Sequence, residues 1–415
     1  MTTKTQAINY RFLGLILLLS NCFGVVFLNV YALNYVFVLI LFIFAFIERK
    51  KKHEYAKLIF VYLFFILLSC LYSTLFNGQN IVKTIVASYP CLGVLSYFIA
   101  AHYKLTSEKL ILTIKIICIA WCCSYLLQWL IYPTILFATA LNEVNITDDE
   151  FRMRMPCSIC AYLLFFWGIN GLVSRKNIRK NILYTLLGFL PILIMGFRSL
   201  TVLAVLCAIL LITFVTKKFF KSIMFGISFL FLIYLSYNNI PIVHNKVNEM
   251  VERQEAGQDF SNSDYIRYIE YNYFTENIFV KPAERFFGGG YPVMDNSTAY
   301  GRKMYDSSYN YSMYWVDLGL IGLSFIIGIP AVCLLIWMAF LMIKKCSAKD
   351  LQFIRFALLV VLVGSIVTSM ELFRQGNLLI VGIILYYIEN QYIPKNRIIK
   401  HQKNENRNSD ISSCM

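Results

Sequence analysis

The chain reads YALNYVFVLILFIFAFI over Tyr31–Ile47, then ERKKKHEYAK over Glu48–Lys57, and then LIFVYLFFILLSCLYSTLF over Leu58–Phe76. Each apolar run approaches the roughly 20 residues that a helix needs to cross the hydrocarbon core of a bilayer. The basic decapeptide between them is too highly charged to enter that core. The three segments therefore predict two membrane-spanning helices joined by a short charged connection.

The composition extends this pattern to the whole chain. Apolar residues make up 59% of the 415 residues, and charged residues only 15%. One soluble core could not bury so much apolar surface. We therefore predict an all-α, polytopic integral membrane protein with about twelve spanning helices. The predicted spans are Phe12–Val30, Tyr31–Ile47, Leu58–Phe76, Ile81–Ala101, Leu110–Ile131, Pro156–Val173, Asn181–Phe197, Ser199–Val215, Ser222–Tyr237, Met313–Ile343, Gln352–Leu372 and Leu378–Tyr387.

Basic residues collect in alternate connections, and this orients the chain. Glu48–Lys57, Ser174–Lys180 and Lys344–Asp350 are rich in lysine and arginine, whereas the opposite connections, such as Asn142–Met155, are short of lysine. The positive-inside rule then predicts cytoplasmic termini and an outer position for the long loop that follows the ninth span. The net charge of +15 follows from this bias and from anionic lipid at the inner surface, so no nucleic-acid partner is expected.

The predicted organisation has four parts. Residues 1–237 carry nine spans, 238–311 form the outer loop with short helices, 312–390 carry three spans, and 391–415 form a basic cytoplasmic tail. The loop is the only long polar stretch between spans, so we expect the chemistry of the protein to lie there. Its candidate ligand-binding arginines are Arg253, Arg267, Arg285 and Arg302.

Arg198 stands where the seventh predicted span meets the eighth, in Gly196–Leu200 (GFRSL). A guanidinium at that depth costs several kcal/mol unless it faces a polar cavity or a partner. One interpretation is an edge arginine that reaches back to the interface. The other is a phosphate clamp, because arginine offers a fixed fork of donors and stays charged.

Motifs of several enzyme classes are absent from the sequence. It has no P-loop, which argues against ATP-driven transport, and no H-E-x-x-H or G-x-S-x-G. Cys157 and Cys160 form an isolated C-x-x-C, which does not suffice for a metal site. We expect no metal and no cofactor.

Five segments resemble motifs of the O-antigen polymerase and ligase superfamily. They are GFRSL at Gly196–Leu200, SDYIRYIEY at Ser263–Tyr271, NIFVKP at Asn277–Pro282, FGGGYP at Phe287–Pro292 and DSSYNYSMYWVDLGLIG at Asp306–Gly322. The resemblance covers roughly residues 190 to 330, and it rests on the order and spacing of these segments. The ligases carry a histidine where this chain has Ser308 and Tyr309. That departure favours a repeat-unit polymerase over a ligase.

The resemblance implies a membrane glycosyltransferase of the bacterial inner membrane that contributes to lipopolysaccharide biosynthesis. Its substrate would be an oligosaccharide linked to undecaprenyl pyrophosphate. Membrane lipid and a chain-length regulator protein would be its candidate partners. Arg198 and Arg267 match the arginines that the family associates with the pyrophosphate. Asp317 matches the family's acidic position.

The residues themselves suggest how such a reaction would proceed. Pyrophosphate is a competent leaving group, so arginines that hold it as charge develops would supply the stabilisation without a metal. Asp306 and Asp317 are the candidate acceptors of the hydroxyl proton, although either is also compatible with a solvated or capping carboxylate. Tyr291, Tyr309 and Trp315 are candidates for stacking on sugar rings. An aromatic belt at the membrane interface is an equally good interpretation for Trp315.

Two other functions remain open at this stage. One is an O-antigen ligase that acts on a lipid A-core acceptor. The other is a flippase or transporter of lipid-linked oligosaccharides, which would also have about twelve spans. Transporters usually show two similar halves, and we find no such repeat in this sequence.

Overall fold

The computed structural model of the protein describes residues 9–21, 23–25, 31–137, 145–147, 150–152, 155–217, 266–294, 297–367 and 371–391, with the isolated positions 224, 237–239, 244 and 248. This part of the chain is all-α, as predicted, apart from a short antiparallel hairpin of β1 (Asn145–Thr147) and β2 (Glu150–Arg152). The helices are α1 (Tyr10–Ser20), α2 (Tyr31–Glu48), α3 (Ala56–Asn77), α4 (Ile81–Ala87), α5 (Tyr89–Leu92), α6 (Ser96–His102), α7 (Ser107–Ile131), α8 (Ile159–Val173), α9 (Ile178–Ile194), α10 (Arg198–Thr216), α11 (Ile266–Tyr273), α12 (Pro282–Phe287), α13 (Ala299–Tyr309), α14 (Gly319–Ile327), α15 (Ile329–Lys345), α16 (Gln352–Val367) and α17 (377–391).

Three of the described helices are long and apolar enough to cross a membrane. They are α3, α7 and the Ser199–Thr216 part of α10, and α4–α6 add a fourth if their bent pair counts as one span. α3 is apolar on both its buried and its exposed sides. It buries Ile59 and Ile66 in the core and exposes Phe64 and Leu75. A helix that is apolar on all sides is typical of a membrane span or a large core.

The first predicted span, Phe12–Val30, is wrong as a continuous helix. α1 ends at Ser20 because Asn21 adopts a left-handed conformation with φ of 36°. The Asn21 side chain then accepts a hydrogen bond of 3.1 Å from the backbone N–H of Val25. Asparagine tolerates this conformation and commonly ends helices. The resulting helix is about 16 Å long, roughly half of a hydrocarbon core.

The fourth predicted span, Ile81–Ala101, is bent by 62° between α4 and α5. Pro90 lies in the first turn of α5, where it lacks an N–H and restricts the residue before it. Ser88 occupies the bend and donates its hydroxyl to the Thr84 carbonyl at 2.9 Å. The helix therefore changes direction at Ser88.

The predicted span Met313–Ile343 consists of two helices. α14 ends at Ile327 and α15 begins at Ile329. Gly328 between them has φ of 86° and ψ of 150°, a region that is essentially restricted to glycine. Pro330 follows in the first turn of α15 and also prevents a continuous helix.

The Gly288–Gly290 segment of the loop fills this break. The N–H groups of Gly289 and Gly290 donate to the carbonyls of Phe325 at 2.8 Å and Ile326 at 3.0 Å. The end of a helix leaves such carbonyls unpaired. The glycine run therefore lies against the backbone of α14.

Two more predicted spans have different bounds in the structure. The span Gln352–Leu372 ends at Val367 in α16, and a short 3-10 turn, Glu371–Phe373, follows after three residues outside the described ranges. The span Leu378–Tyr387 lies within the longer α17. The ninth predicted span, Ser222–Tyr237, lies almost wholly outside the described residues.

The connections between helices meet at two ends of the bundle. At the first, the side chain of Asn77 donates to the Gly289 carbonyl at 3.1 Å, and the Cys157 N–H donates to the Gln375 carbonyl at 2.8 Å. We call this the loop end. At the second, the basic end, Lys176 lies 3.3 Å from Asp350. The loop end thus joins connections that were predicted to lie outside, and the basic end joins connections that were predicted to be cytoplasmic.

A buried ionic network holds the helices together at the basic end. Glu48 at the end of α2 is fully buried and contacts Lys51 at 2.6 Å, His102 at 3.0 Å and His53 at 3.2 Å. Glu389 in α17 accepts a hydrogen bond from Tyr97 in α6. A buried carboxylate needs such partners, so the network fixes α2, α6 and α17 relative to one another.

Candidate functional site

Arg267 joins the loop to the next apolar helix through two carboxylates. Its Nη1 lies 2.9 Å from Glu270 Oε2 in α11 and 2.8 Å from Asp317 Oδ2 just before α14. Glu270 Oε1 also accepts a hydrogen bond of 3.1 Å from the Tyr314 N–H. We call Arg267, Glu270 and Asp317 the Arg267 cluster. The structure thus brings together two residues predicted to be catalytic and adds Glu270, which was not predicted.

The position of this cluster follows from the helix that carries it. Arg267 and Glu270 are three residues apart, so they share one face of α11. The helix continues into a π-helical turn, Phe274–Ile278, whose two end residues are buried. This buried turn anchors α11 against the bundle. Single π-helical turns occur frequently at functional sites.

Burial differs among the members of the Arg267 cluster. Glu270 is 1% exposed, whereas Arg267 is 30% and Asp317 is 28% exposed. Burial raises the pKa of Glu270, and the nearby Arg267 only partly offsets that effect. Burial would lower the pKa of Arg267, but the carboxylates of Asp317 and Glu270 raise it above its ordinary value. Arg267 is therefore a fixed cation, and Asp317 is the more accessible carboxylate beside it.

Asp306 does not join this cluster. It lies on α13, where its Oδ1 accepts a hydrogen bond of 2.8 Å from the Asn310 side chain. Its backbone carbonyl accepts from the N–H groups of Asn310 and Tyr311 at the end of the helix. Arg302 lies on the same helix and is exposed.

The other predicted arginines have different surroundings. Arg285 donates from Nε to the Phe279 carbonyl at 3.0 Å and from Nη2 to the Thr275 carbonyl at 3.2 Å. These bonds pair one carbonyl within the π-helical turn and one just after it, so Arg285 stabilises the loop. Arg198 is the first residue of α10, and its side chain lies outside the described part of the structure. Arg253 also lies outside the described residues.

The three predicted aromatic residues lie in two different settings. Trp315 is 3% exposed and packs edge-to-face with Tyr291, with ring centroids 5.6 Å apart. Tyr309 is 59% exposed and stacks on Tyr305, with ring centroids 4.3 Å apart. The exposed pair offers a flat surface to a sugar ring, whereas Trp315 and Tyr291 pack against each other.

A second arginine cluster lies between α16 and α17, and we call it the Arg374 cluster. Glu371 is fully buried, and its Oε1 lies 2.5 Å from Arg374 Nη2. Its Oε2 accepts a hydrogen bond of 2.7 Å from the Ser158 hydroxyl. The Asn377 side chain donates to the same hydroxyl at 3.0 Å. These four residues form a buried polar site at the start of α8 and α17.

One donor of the Arg374 cluster has no hydrogen bond. Arg374 Nη1 is buried, and it has no hydrogen-bond partner among the described residues. The guanidinium lies over the ring of Phe197, 5.1 Å from its centroid. A buried donor without a partner costs free energy, and an anion bound against Arg374 would offset that cost.

The two clusters flank the same turn of α16. The Leu372 N–H donates to Ser365 Oγ at 2.8 Å next to the Arg374 cluster. Gly319, close to Asp317 in the chain, packs so tightly on the Ser365 carbonyl that a Cβ there would clash. Leu200 in the first turn of α10 packs on Gly364. Arg267, Arg374 and the backbone of Arg198 therefore converge around one end of α16.

The Arg374 cluster was not among the predicted site residues. Arg374 falls between the predicted spans Gln352–Leu372 and Leu378–Tyr387. A usable signal was present, since Glu371 and Arg374 stand three residues apart between two apolar runs. Ionisable residues in such a setting are rare and are functional candidates.

Among the described residues, no group of three histidine, cysteine, aspartate or glutamate side chains could hold a metal ion. Cys157 and Cys160 are both buried thiols. Comparison of the chain with protein-family models, with curated proteins and with solved structures finds no match.

Proposed function

We propose that the protein is a membrane glycosyltransferase that polymerises oligosaccharide repeat units carried on undecaprenyl pyrophosphate, as an O-antigen or related polysaccharide polymerase does. It would have about twelve spans in a bacterial inner membrane, with both termini in the cytoplasm and the 238–311 loop in the periplasm. The proposal rests on the resemblance of the loop segments to that superfamily and on the chemistry of the loop end. A chain-length regulator remains a possible partner.

The observation that carries the proposal is Arg374 Nη1, which is buried without a hydrogen-bond partner in the described part of the chain. It lies at the end of the bundle where Arg267, Asp317 and the start of α10 also converge. A pyrophosphate bears charge on several oxygens, and arginine binds phosphate oxygens with its fork of donors. A mostly buried guanidinium, 14% exposed, with one nitrogen that lacks a partner among the described residues, is therefore suited to such a ligand.

The proposed reaction makes one bond and breaks one bond. A hydroxyl oxygen of the acceptor repeat unit attacks the anomeric carbon of the donor glycan, and the bond from that carbon to the pyrophosphate oxygen breaks. Undecaprenyl pyrophosphate leaves with the electron pair. Arg374, together with Arg198, would hold the charge that develops on it, and such stabilisation is usually the largest catalytic contribution.

The hydroxyl proton needs an acceptor in this scheme. Asp317 is 28% exposed and is held in place by Arg267. We assign the proton to Asp317 rather than Asp306, because Asp317 lies at the convergence of the two clusters. Arg267 would then orient the base. The exposed Tyr305 and Tyr309 rings would hold a sugar of the acceptor.

The decisive experiment uses the purified protein in detergent with lipid-linked repeat units and excess chelator. We expect glycans longer than one repeat, because arginines rather than a metal would stabilise the leaving group. Single repeats alone, with folded protein and intact substrate, would contradict the proposal. Polymer that forms only after magnesium or manganese is added would contradict its metal-independent mechanism.

A second candidate function is transport of lipid-linked oligosaccharides. Two predicted spans are broken, at Ser88 and at Gly328, and discontinuous helices commonly form the binding sites of transporters. Detergent solution separates the two functions because it has no second compartment. Polymer formed there requires an enzyme, whereas a transporter would leave the repeat units unchanged.

A further inference from the structure

A cavity lies at the basic end of the bundle, away from both arginine clusters. Its volume is about 340 Å³, and its walls come from α7, α8, α9, α16 and α17. Lys115, Lys176 and Lys180 line it, with Asp350 as the acidic residue of the lining. Lys176 and Asp350 pair at 3.3 Å, but both side chains are mostly exposed, so the pair is weak. The cavity therefore has an excess of positive charge.

Lys115 places one of these charges deep in the wall. It lies about two turns into α7, within a helix long and apolar enough to span a membrane. Its ammonium lies 4.3 Å from the ring centroid of Tyr184 and 5.0 Å from that of Trp167. Two aromatic faces hold the cation through cation–π contacts without neutralising it. An ionisable residue inside a span is a candidate for ligand binding.

Asn170 supplies an independent sign of a ligand. The residue is 8% exposed, and its Nδ2 donates to the Lys349 carbonyl at 3.1 Å. Its Oδ1 is buried with no hydrogen-bond partner among the described residues. Asn170 lines the cavity, so a ligand there that offers a hydroxyl to this residue would offset the cost of the unsatisfied oxygen. The cavity thus fits a ligand that combines an anionic group with a hydroxyl.

The surface beside the cavity favours a lipid as the source of that ligand. α9 contributes Tyr184 to the wall and also carries three exposed leucines. Leu183, Leu186 and Leu190 are 60%, 53% and 40% exposed. Acyl chains can lie along such an apolar strip while the headgroup enters the polar cavity. Basic pockets between membrane helices on the cytoplasmic side are known to take anionic headgroups.

We propose that this cavity binds the headgroup of an anionic phospholipid, a phosphodiester followed by a hydroxylated group, as in phosphatidylglycerol. The phosphodiester contacts Lys115 and Lys180, and a headgroup hydroxyl donates to Asn170 Oδ1. The inference rests on the membrane placement of the chain and does not depend on glycosyl transfer. Its test is therefore a binding measurement, which stands whether or not the protein makes polymer.

Binding can be measured by native mass spectrometry and by the melting temperature of the delipidated full chain in detergent. We expect phosphatidylglycerol to bind at least about tenfold more tightly than phosphatidylcholine, because the cavity selects net negative charge. Phosphatidylmethanol has the same charged phosphodiester and no hydroxyl, so it should bind several-fold more weakly than phosphatidylglycerol. Equal binding of the anionic and zwitterionic lipids would overturn the proposal. Equal binding of phosphatidylglycerol and phosphatidylmethanol would remove Asn170 from the site.

Variants locate the binding in this cavity. Lys115→Gln and Lys180→Gln should each weaken phosphatidylglycerol binding by about tenfold, the effect of losing a charge-assisted hydrogen bond. Lys180 is exposed, so its variant keeps the test valid if Lys115→Gln fails to fold. Lys57→Gln, an exposed lysine that does not line the cavity, is the matched control. Unchanged affinity in a folded Lys180→Gln and in a folded Lys115→Gln would overturn the proposal.

A soluble phosphate ester is the alternative source of the same chemistry. Glycerol 3-phosphate, titrated against the delipidated protein, should bind far more weakly than phosphatidylglycerol because it cannot use the apolar strip on α9. Comparable affinity, lost in Lys180→Gln, would replace the lipid by a soluble ligand and overturn the lipid assignment.

Discussion

Arg267 Nη1 lies 2.8 Å from Asp317 Oδ2, and this ion pair fastens the amphipathic helix of the loop to the start of α14. The same nitrogen lies 2.9 Å from the buried Glu270. Two carboxylates thus share one guanidinium at the loop end. The arrangement suits a base with fixed orientation better than a free phosphate clamp.

Replacement of Arg267 should therefore affect activity through Asp317. Arg267→Ala leaves the buried Glu270 without its cation, which costs roughly 3 to 5 kcal/mol of stability. The double variant Arg267→Ala, Glu270→Gln removes that unpaired charge and should fold. We expect it to reduce polymerisation by about ten- to a hundredfold, and Arg267→Lys to retain part of the activity. The measurement is the rate of chain growth on lipid-linked repeat units, and wild-type rates in the folded double variant would exclude this role.

The Arg374 cluster should bind the pyrophosphate directly. Because Arg374→Ala alone would remove the cation that pairs with the buried Glu371, the informative variant is Arg374→Gln with Glu371→Gln. We expect polymerisation to fall by about ten- to a hundredfold, with weaker binding of undecaprenyl pyrophosphate. Arg11→Ala is the control, an exposed arginine on α1 far from the site. Normal binding of undecaprenyl pyrophosphate by the folded double variant would show that Arg374 is structural.

The buried Glu270 predicts a pH effect on stability. Its pKa in the folded protein is raised above 4.5, chiefly by burial, so the folded state holds this proton more tightly than the unfolded state. That contribution to stability is greatest below the unfolded pKa and is lost as pH rises through the folded value. Relative to Glu270→Gln, the wild type should therefore lose stability as pH increases from about 4.5. Melting temperatures of both proteins across this range test the prediction. A difference in melting temperature that does not change with pH would contradict it.

Gly328 should be intolerant of a side chain. A Cβ there would lie 2.6 Å from the Phe286 carbonyl oxygen, and the backbone has φ of 86°. Gly328→Ala should cost at least about 1 to 3 kcal/mol and loosen the loop from α14. Gly14→Ala in α1 is the matched control, because nothing lies within 4 Å of its added Cβ, and it should be neutral or stabilising. The measurement is the melting temperature of the two variants. Equal melting temperatures would show that the backbone at Gly328 does not require glycine.

The lysine distribution predicts the topology of the chain. A reporter fused after Lys221 should be cytoplasmic, and one fused near Asn262 should be periplasmic. Enzymatic reporters that are active in only one compartment give the answer at each site. The opposite result at Asn262 would place the loop on the wrong side for a periplasmic reaction.

The sequence alone determined the helical class of the protein. Runs such as Leu58–Phe76 and Leu110–Ile131 appear as α3 and α7 with small shifts at their ends. Apolar length dictates a helix because a backbone surrounded by apolar side chains must satisfy its hydrogen bonds internally. The sequence also marked Arg267 and Asp317, but as separate candidates with different roles; their ion pair is seen only in the structure.

Only the tertiary structure decided where helices break and which charges meet. Asn21 and Gly328 end helices within apolar runs, because their backbone conformations depend on contacts that hydropathy does not report, such as that of Gly328 with the loop residue Phe286. The unpaired Nη1 of Arg374 depends on burial by neighbouring elements, among them Phe197. Lys115 and Asn170 likewise acquire a shared cavity only when α7 and α8 pack together. The burial of a side chain and the identity of its hydrogen-bond partners depend on segments that are distant in the chain. No local pattern in the sequence specifies them.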